Sequence, residues 1–279
     1  MCTVTYIPTK EGYLLTSNRD EQRGRPPAQA PALYNGHTGN LLYPRDTLAG
    51  GTWFVTHGRG HTIVLLNGGW ERHIPHPPYR MSRGLVLLEL ADSGDPLQAF
   101  ADIPLEGIEP FTLVLSNPAG SPDGILSPDS SPSPDGGLYE CRWDGREKYC
   151  SRMDASLPHI WSSVTLYGPA ITARRRSWFQ SWVRANPAPD QAAILDFHRF
   201  TGDGDPHNDL LMNRDDSLLT VSITSLEFRR AAERPRGRVA AAFTTPPDRS
   251  SARMLYTDIL SGASARQQLF IDVTIPRIA

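Results

Sequence analysis

Apolar strand-like runs in this chain come in pairs joined by short glycine turns, and two pairs of helices interrupt them. That order constrains the fold more than any other feature. CTVTYI and YLLTS flank TKEG, and TWFVT and TIVLLN flank a Gly-rich turn, the pattern of antiparallel hairpins. SRGLVLLELADSG reads as a helix with Ser82 as N-cap and Gly94 near its end, and DPLQAFADI as a second with Asp95 as cap and Pro96 in the first turn. The strand PFTLVLSN and the hairpin LYECRWDG–REKYC come next. RRRSWFQSWVRAN and PDQAAILDFHRF form another helix pair, and LLTVSITSLEF, RVAAAFTTP and QQLFIDVTI are late strands. Strands set apart from paired helices predict an α+β fold of layered antiparallel sheets. Runs such as TIVLL are apolar on consecutive residues, which fits sheets covered on both faces. The Pro- and Gly-rich stretch from Gly24 to Leu42 reads as an irregular surface excursion, and the low-complexity stretch near 118–137 as a mobile surface loop. With neither repeat nor linker, all 279 residues are expected to form one domain.

Composition excludes several functions. A formal net charge of -2 gives no bulk attraction to nucleic acid or to an anionic membrane. RRRSWFQSWVR mixes arginine with aromatics, but helical spacing makes Trp178, Phe179 and Trp182 a core face with the arginines solvated. No apolar run is long enough to span a membrane, and no signal peptide is evident. The three cysteines, Cys2, Cys141 and Cys150, form no CxxC, so neither a disulfide framework nor a thiolate metal site is expected. A reducing cytoplasm is the default location. His57 and His61, and His73 and His76, have metal-like spacing but read as surface turns, and DGDPHND reads as a capped loop. No metal or cofactor is expected.

The chemistry concentrates near the N-terminus. Cys2 follows the initiator Met at the start of one strand of the first hairpin, and Asn18-Arg19-Asp20, of the run NRDE, falls just past the end of its partner. In an antiparallel hairpin those two ends are neighbours. Once Met1 is removed, Cys2 carries a thiol with a pKa near 8.5 and an α-amine near 7.7–8.0. The amine then serves as general base on the nucleophile's own residue. Asp20 is the candidate to orient that amine, and Arg19 to brace Asp20 or hold a polar part of the substrate. Asn67, at the end of the run IVLLN, is the candidate oxyanion donor. Gly50 and Gly51 would let backbone approach the pocket closely.

MCT at the start, NRDE at Asn18 to Glu21, Arg25-Pro26, YPRDTLAGGTW from Tyr43 to Trp53, the strand ending LLN and SRG at Ser82 together resemble the NRDE family, also called the transport and Golgi organisation protein 2 family. That family is similar to the N-terminal nucleophile hydrolases of the bile salt hydrolase and penicillin V acylase type. The resemblance implies a four-layer αββα sandwich of two antiparallel sheets. It also implies a cysteine amidohydrolase in which Cys2 attacks an acyl C–N bond of a small molecule, Asp20 contacts the α-amine and Asn67 helps form the oxyanion hole. Asn18, Gly50, Gly51, Trp53 and Ser162 are the accompanying substrate-binding candidates. Ser17 stands where those hydrolases carry an arginine, and Ser162 or Ser163 where they carry a second asparagine. One of Arg174, Arg175 and Arg176 corresponds to a later arginine of theirs. The alternative reading is a catalytically silent protein of the same fold that carries a lipid or haem.

Overall fold

The computed structural model describes residues 3–117, 137–231 and 249–271. The first half of the chain holds β1 (Thr3–Pro8), β2 (Gly12–Gln22), β3 (Gln29–Asn35), β4 (Asn40–Arg45), β5 (Phe54–His57), β6 (Thr62–Asn67), α1 (Arg83–Ala91), α2 (Pro96–Asp102) and β7 (Phe111–Asn117). The second half holds β8 (Gly137–Trp143), β9 (Lys148–Met153), β10 (His159–Ser162), α3 (Pro169–Ala185), α4 (Gln191–His198), β11 (Asn213–Arg214), β12 (Leu218–Arg229), β13 (Ser251–Asp258) and β14 (Ser264–Phe270). Among the described residues the strands form two seven-stranded antiparallel sheets. One runs β10-β1-β2-β12-β13-β14, with β11 beside β12, and the other runs β3 to β9 in chain order. Helices α3 and α4 pack on the first sheet and α1 on the second, which gives the αββα layering.

Alternation along β1 and β2 shows how both faces of the first sheet are buried. Val4, Tyr6, Tyr13 and Leu15 join the main core with residues of the second sheet, while Ile7 and Leu14 pack with Phe179, Ile194 and Phe197 of the helix layer. Gly12 closes the hairpin because a Cβ there would lie 2.0 Å from the Phe228 carbonyl oxygen on the neighbouring strand. Helix starts follow capping chemistry. Ser82 accepts from the Leu85 N–H, Asp95 from those of Leu97 and Gln98, and Asp190 from that of Ala193.

Several expectations need correction. The stretch from Gly24 to Leu42 is not irregular, because β3 and the start of β4 lie in it. β3 is the sheet edge and most of its positions are exposed or half-buried, so it carries no apolar run to mark it, while β4 buries Leu41, Leu42 and Tyr43. Strand β13 has no apolar run in the sequence, because its inward residues Ala252, Met254 and Tyr256 alternate with polar or half-exposed ones. Helix α3 begins at Pro169, ahead of the arginine run, and Arg175 is fully buried rather than solvated. His57 and His61 are buried, not on surface turns, and their rings stack with centroids 4.6 Å apart. The His57 Nδ1 accepts from the Arg59 N–H, and the His61 Nε2 donates to the Ala91 carbonyl. The segment 118–136, the strand-like RVAAAFTTP and Cys2 itself lie outside the described residues.

Candidate active site

The NRDE run does not follow the strand but is the last part of β2, because pairing with β12 continues through it, and strand alternation splits it between two layers. Asn18 pairs with Thr3 on β1 and with Ile223 on β12. Asn18 and Asp20 face the helix layer, and Arg19 faces the second sheet. A bulge between Thr220 and Ser222 on β12 lies opposite Asp20 and Arg19, where it re-aims the side chains at the end of the strand.

On the helix side, Asn18 is completely buried and lines neither of the cavities described below. Its Nδ2 donates to the carbonyls of His198 and Leu210, and its Oδ1 accepts from the His198 Nδ1 at 2.6 Å. The His198 Nε2 then accepts from the Thr5 hydroxyl at 2.8 Å. Burial and the nearby Arg175 hold this imidazole neutral, with its pKa pushed down to about 3. Asp20 is 3% exposed; its Oδ1 accepts from the Thr220 hydroxyl at 2.6 Å and its Oδ2 from the Tyr167 hydroxyl at 2.9 Å. Arg175 donates to the Thr3 hydroxyl at 2.5 Å and to the carbonyls of Asn208 and Asp209. Its guanidinium carbon lies 3.6 Å from the centre of the Tyr167 ring.

On the other side, Arg19 lies over the Trp53 ring at 4.6 Å and donates to Asp46 at 2.6 Å. Asp46 also accepts from Arg25 through both oxygens and from the Leu48 and Ala49 N–H groups, which builds the TLAGG turn around one carboxylate. Burial alone would raise the Asp46 pKa, but these donors outweigh it and hold it below the usual carboxylate range. Burial lowers the Arg19 pKa against the opposing pull of Asp46 and Glu21. Gly51 and Gly84 sit back to back: a Cβ on Gly51 would lie 2.4 Å from the Gly84 carbonyl carbon, and one on Gly84 would lie 2.7 Å from the Thr52 carbonyl oxygen. Gly50 takes φ +72 in the turn.

Two cavities share Asn67. The smaller, about 230 Å³, is lined by Arg19, Gly51, Trp53 and Asn67, with Arg83 paired to Glu109 on its far wall. Three arginines and three carboxylates line it, so its charge balances. The larger, about 480 Å³, is lined by Asn67, Ser162, Ser163 and Arg176, with Leu157, Ile160 and Trp161 supplying apolar wall. Thr3 pairs with Ser162, and the Ser163 hydroxyl donates to the Asn67 carbonyl at 2.7 Å, which ties the start of β1 to the end of β6. The Asn67 side-chain amide makes no hydrogen bond among the described residues, and neither does the Trp53 indole N–H. Of the three adjacent arginines, Arg176 lines the larger cavity, Arg175 is beneath it against Thr3, and Arg174 ion-pairs with Asp203.

The fold therefore brings Arg19, Gly51, Trp53, Asn67 and Ser162 around two cavities that share Asn67. Asp20 is set in the layer behind, Asn18 is committed to His198, and Gly50 only shapes the turn. Residues 1–127 match the family model of Transport and Golgi organisation 2. That span contains MCT, NRDE and the AGGTW turn. No curated protein matches the chain. Among solved structures, a variant of the conjugated bile acid hydrolase from Clostridium perfringens is 9% identical over 96% of this chain and 92% of its own, with a TM-score of 0.51. The Caenorhabditis elegans ortholog of N-acylethanolamine-hydrolyzing acid amidase is 11% identical over 80% of this chain and 92% of its own, with a TM-score of 0.49. The bile acid hydrolase likeness extends over nearly all of both chains and shows a fold like that of the N-terminal nucleophile hydrolases.

Asp46, Tyr167, Thr220 and His198 carry no site reading from sequence. Asp46 had a signal, since it lies inside the PRDTLAGGTW motif. Tyr167 and Thr220 meet Asp20 from 147 and 200 residues away and had none.

Proposed function

We propose that this chain is an amidohydrolase whose nucleophile is Cys2, one peptide bond before Thr3. The observation that carries this reading is the side-chain amide of Asn67, which makes no hydrogen bond among the described residues. Asn67 lines both cavities, so an amide carbonyl placed against it would have room on either side for the acyl and amine parts of a substrate. After loss of Met1, the α-amine accepts the thiol proton as sulfur attacks the carbonyl carbon. The Asn67 N–H donates to the oxyanion that forms. Collapse breaks the C–N bond, and the leaving amine takes the proton from the α-ammonium. Water then attacks the thioester with the α-amine again as base, which releases the carboxylic acid and restores the thiol. Asp20 holds the α-amine in this scheme, and Arg19 keeps the smaller cavity polar. A reducing cytoplasm preserves such a thiol.

The charge-rich lining of the smaller cavity favours a substrate with a compact polar part over a lipid or haem cargo. The test uses p-nitrophenyl acetate, a small activated acyl donor. Wild-type protein is expected to release a burst of nitrophenolate and to carry one acetyl group on the peptide that begins with Cys2. The Cys2→Ala variant should show neither while keeping its fold. Acylation elsewhere, or a burst that persists without the thiol, contradicts the reading.

A further inference from the structure

We propose that Tyr167 is a positioning residue that sets the pH at which Cys2 becomes nucleophilic, acting through Asp20. The proposal rests on the function proposed above, because Asp20 matters to reactivity only if it holds the α-amine of residue 2. Tyr167 is 3% exposed and comes from the loop between β10 and α3, far in sequence from the NRDE motif. Its hydroxyl donates to the Asp20 Oδ2 at 2.9 Å and also lies 3.3 Å from the Met212 sulfur. The carboxylate is much the stronger acceptor of that proton.

Two cations flank the ring. Arg175 of α3 lies 3.6 Å from the ring centre, and Arg214 of β11 lies 5.4 Å from it. A cation on a phenol face draws on the ring's electron density and makes its hydroxyl a better donor. Arg175 has no carboxylate within ion-pair distance among the described residues; it is bound by the Thr3 hydroxyl and by main-chain carbonyls, so its charge is directed at the ring. Another charged group near this layer is Asp209, whose carbonyl accepts from Arg175 and whose carboxyl feels Arg174 as well. Burial, followed by Asp203 and Asp205, pushes its own carboxyl up to about 6. Arg19 and Glu21 face the opposite layer.

Tyr167 and Thr220 together take one hydrogen bond at each Asp20 oxygen. Each bond fixes the carboxylate plane and draws part of its negative charge away from any cation it faces. Removing the phenol hydroxyl leaves more of that charge on the α-ammonium. The amine then gives up its proton only at higher pH.

The experiment measures the rate of Cys2 alkylation by iodoacetamide against pH, read by peptide mass, in wild type, Tyr167→Phe, Thr220→Val and Thr220→Ser. The midpoint of the Cys2 profile should move up by about one pH unit in Tyr167→Phe, which is about tenfold slower labelling on the acid limb. Thr220→Val should move it the same way, and Thr220→Ser, which keeps the hydroxyl, should restore the wild-type midpoint. Thermal unfolding of each variant is followed alongside. A reactive Cys2 whose profile is unchanged in both Tyr167→Phe and Thr220→Val overturns the positioning role, whatever the melting temperatures do. A wild-type Cys2 no faster than Cys141 and Cys150 overturns both this proposal and the function beneath it, so the two failures are told apart by the wild-type control.

Discussion

Replacing Asn18 by alanine removes three hydrogen bonds from a fully buried position: two donated to the carbonyls of His198 and Leu210 and one accepted from the His198 ring. Each is worth about 1 kcal/mol net, and a buried polar group left without a partner costs about 1–3 kcal/mol. The Leu210 carbonyl keeps a long contact to the Thr220 hydroxyl at 3.4 Å, so the His198 groups suffer most. The expected loss is about 3–5 kcal/mol, a large share of the roughly 5–15 kcal/mol that keeps a domain folded. Urea unfolding at neutral pH should show a lower midpoint with an unchanged slope, since the surface exposed on unfolding does not change. Alkylation of Cys2, measured in the cold where the variant is folded, should stay within about threefold of wild type. Asn18→Asp should be no better than the alanine variant, because a carboxylate cannot donate to two carbonyls. A loss under about 1 kcal/mol together with collapse of Cys2 labelling would refute the reasoning. It would return Asn18 to the substrate-binding role that its place in the motif first suggested.

The remaining expectations concern pH, packing and charge. His61 and His198 have folded pKa values pushed by burial to about 4 and about 3, below the ordinary 6.5, so their stabilisation is complete above pH 6.5 and lost as pH falls through the acid range. Each should cost about 2 kcal/mol between pH 7 and pH 5; Asp209, raised to about 6, gains stability over the same range and offsets about 1 kcal/mol of that. Urea midpoints should therefore fall from pH 7 to pH 5, and a flat or rising trend would show that these imidazoles are protonated in the folded protein. Gly51→Ala and Gly84→Ala each push a methyl group into facing backbone and should destabilise by about 1–3 kcal/mol or more in the same assay. Asp46→Ala strands the buried Arg19 without its main partner and should cost about 3–5 kcal/mol in urea unfolding, whereas a loss near zero would mean that the Arg19–Asp46 pair is solvated.

Much of this architecture was readable from local rules. The β1–β2 hairpin, the caps at Ser82 and Asp95, and the aromatic face of α3 follow from turn residues, side-chain acceptors and helical spacing. Strands without an apolar run were not readable. Both β3 at a sheet edge and β13 beside another edge strand hide their inward residues among polar ones. At the site, the sequence marks four polar residues at a strand end but not what each face meets. Period-two alternation sends Asn18 and Asp20 toward α3 and α4, and Arg19 toward the second sheet. Only the fold then reveals that the Asn18 partner is His198, that Asp20 is held by Tyr167 and Thr220, and that Arg19 is clamped by Asp46 and Trp53. The burial of Arg175 was equally hidden, since three consecutive arginines on a helix give no local reason for one of them to turn inward.

The central claim is that residue 2 is a primed N-terminal nucleophile. Its most direct test is brief iodoacetamide labelling of the native protein slightly below neutral pH, followed by peptide mapping. Cys141 is a slow internal reference, because the adjacent Cys150 sulfur and burial push its thiol pKa well up. Met1 is expected to be absent, and Cys2 to label far faster than either Cys141 or Cys150. Retained Met1, or a Cys2 no more reactive than the other two, would contradict the claim.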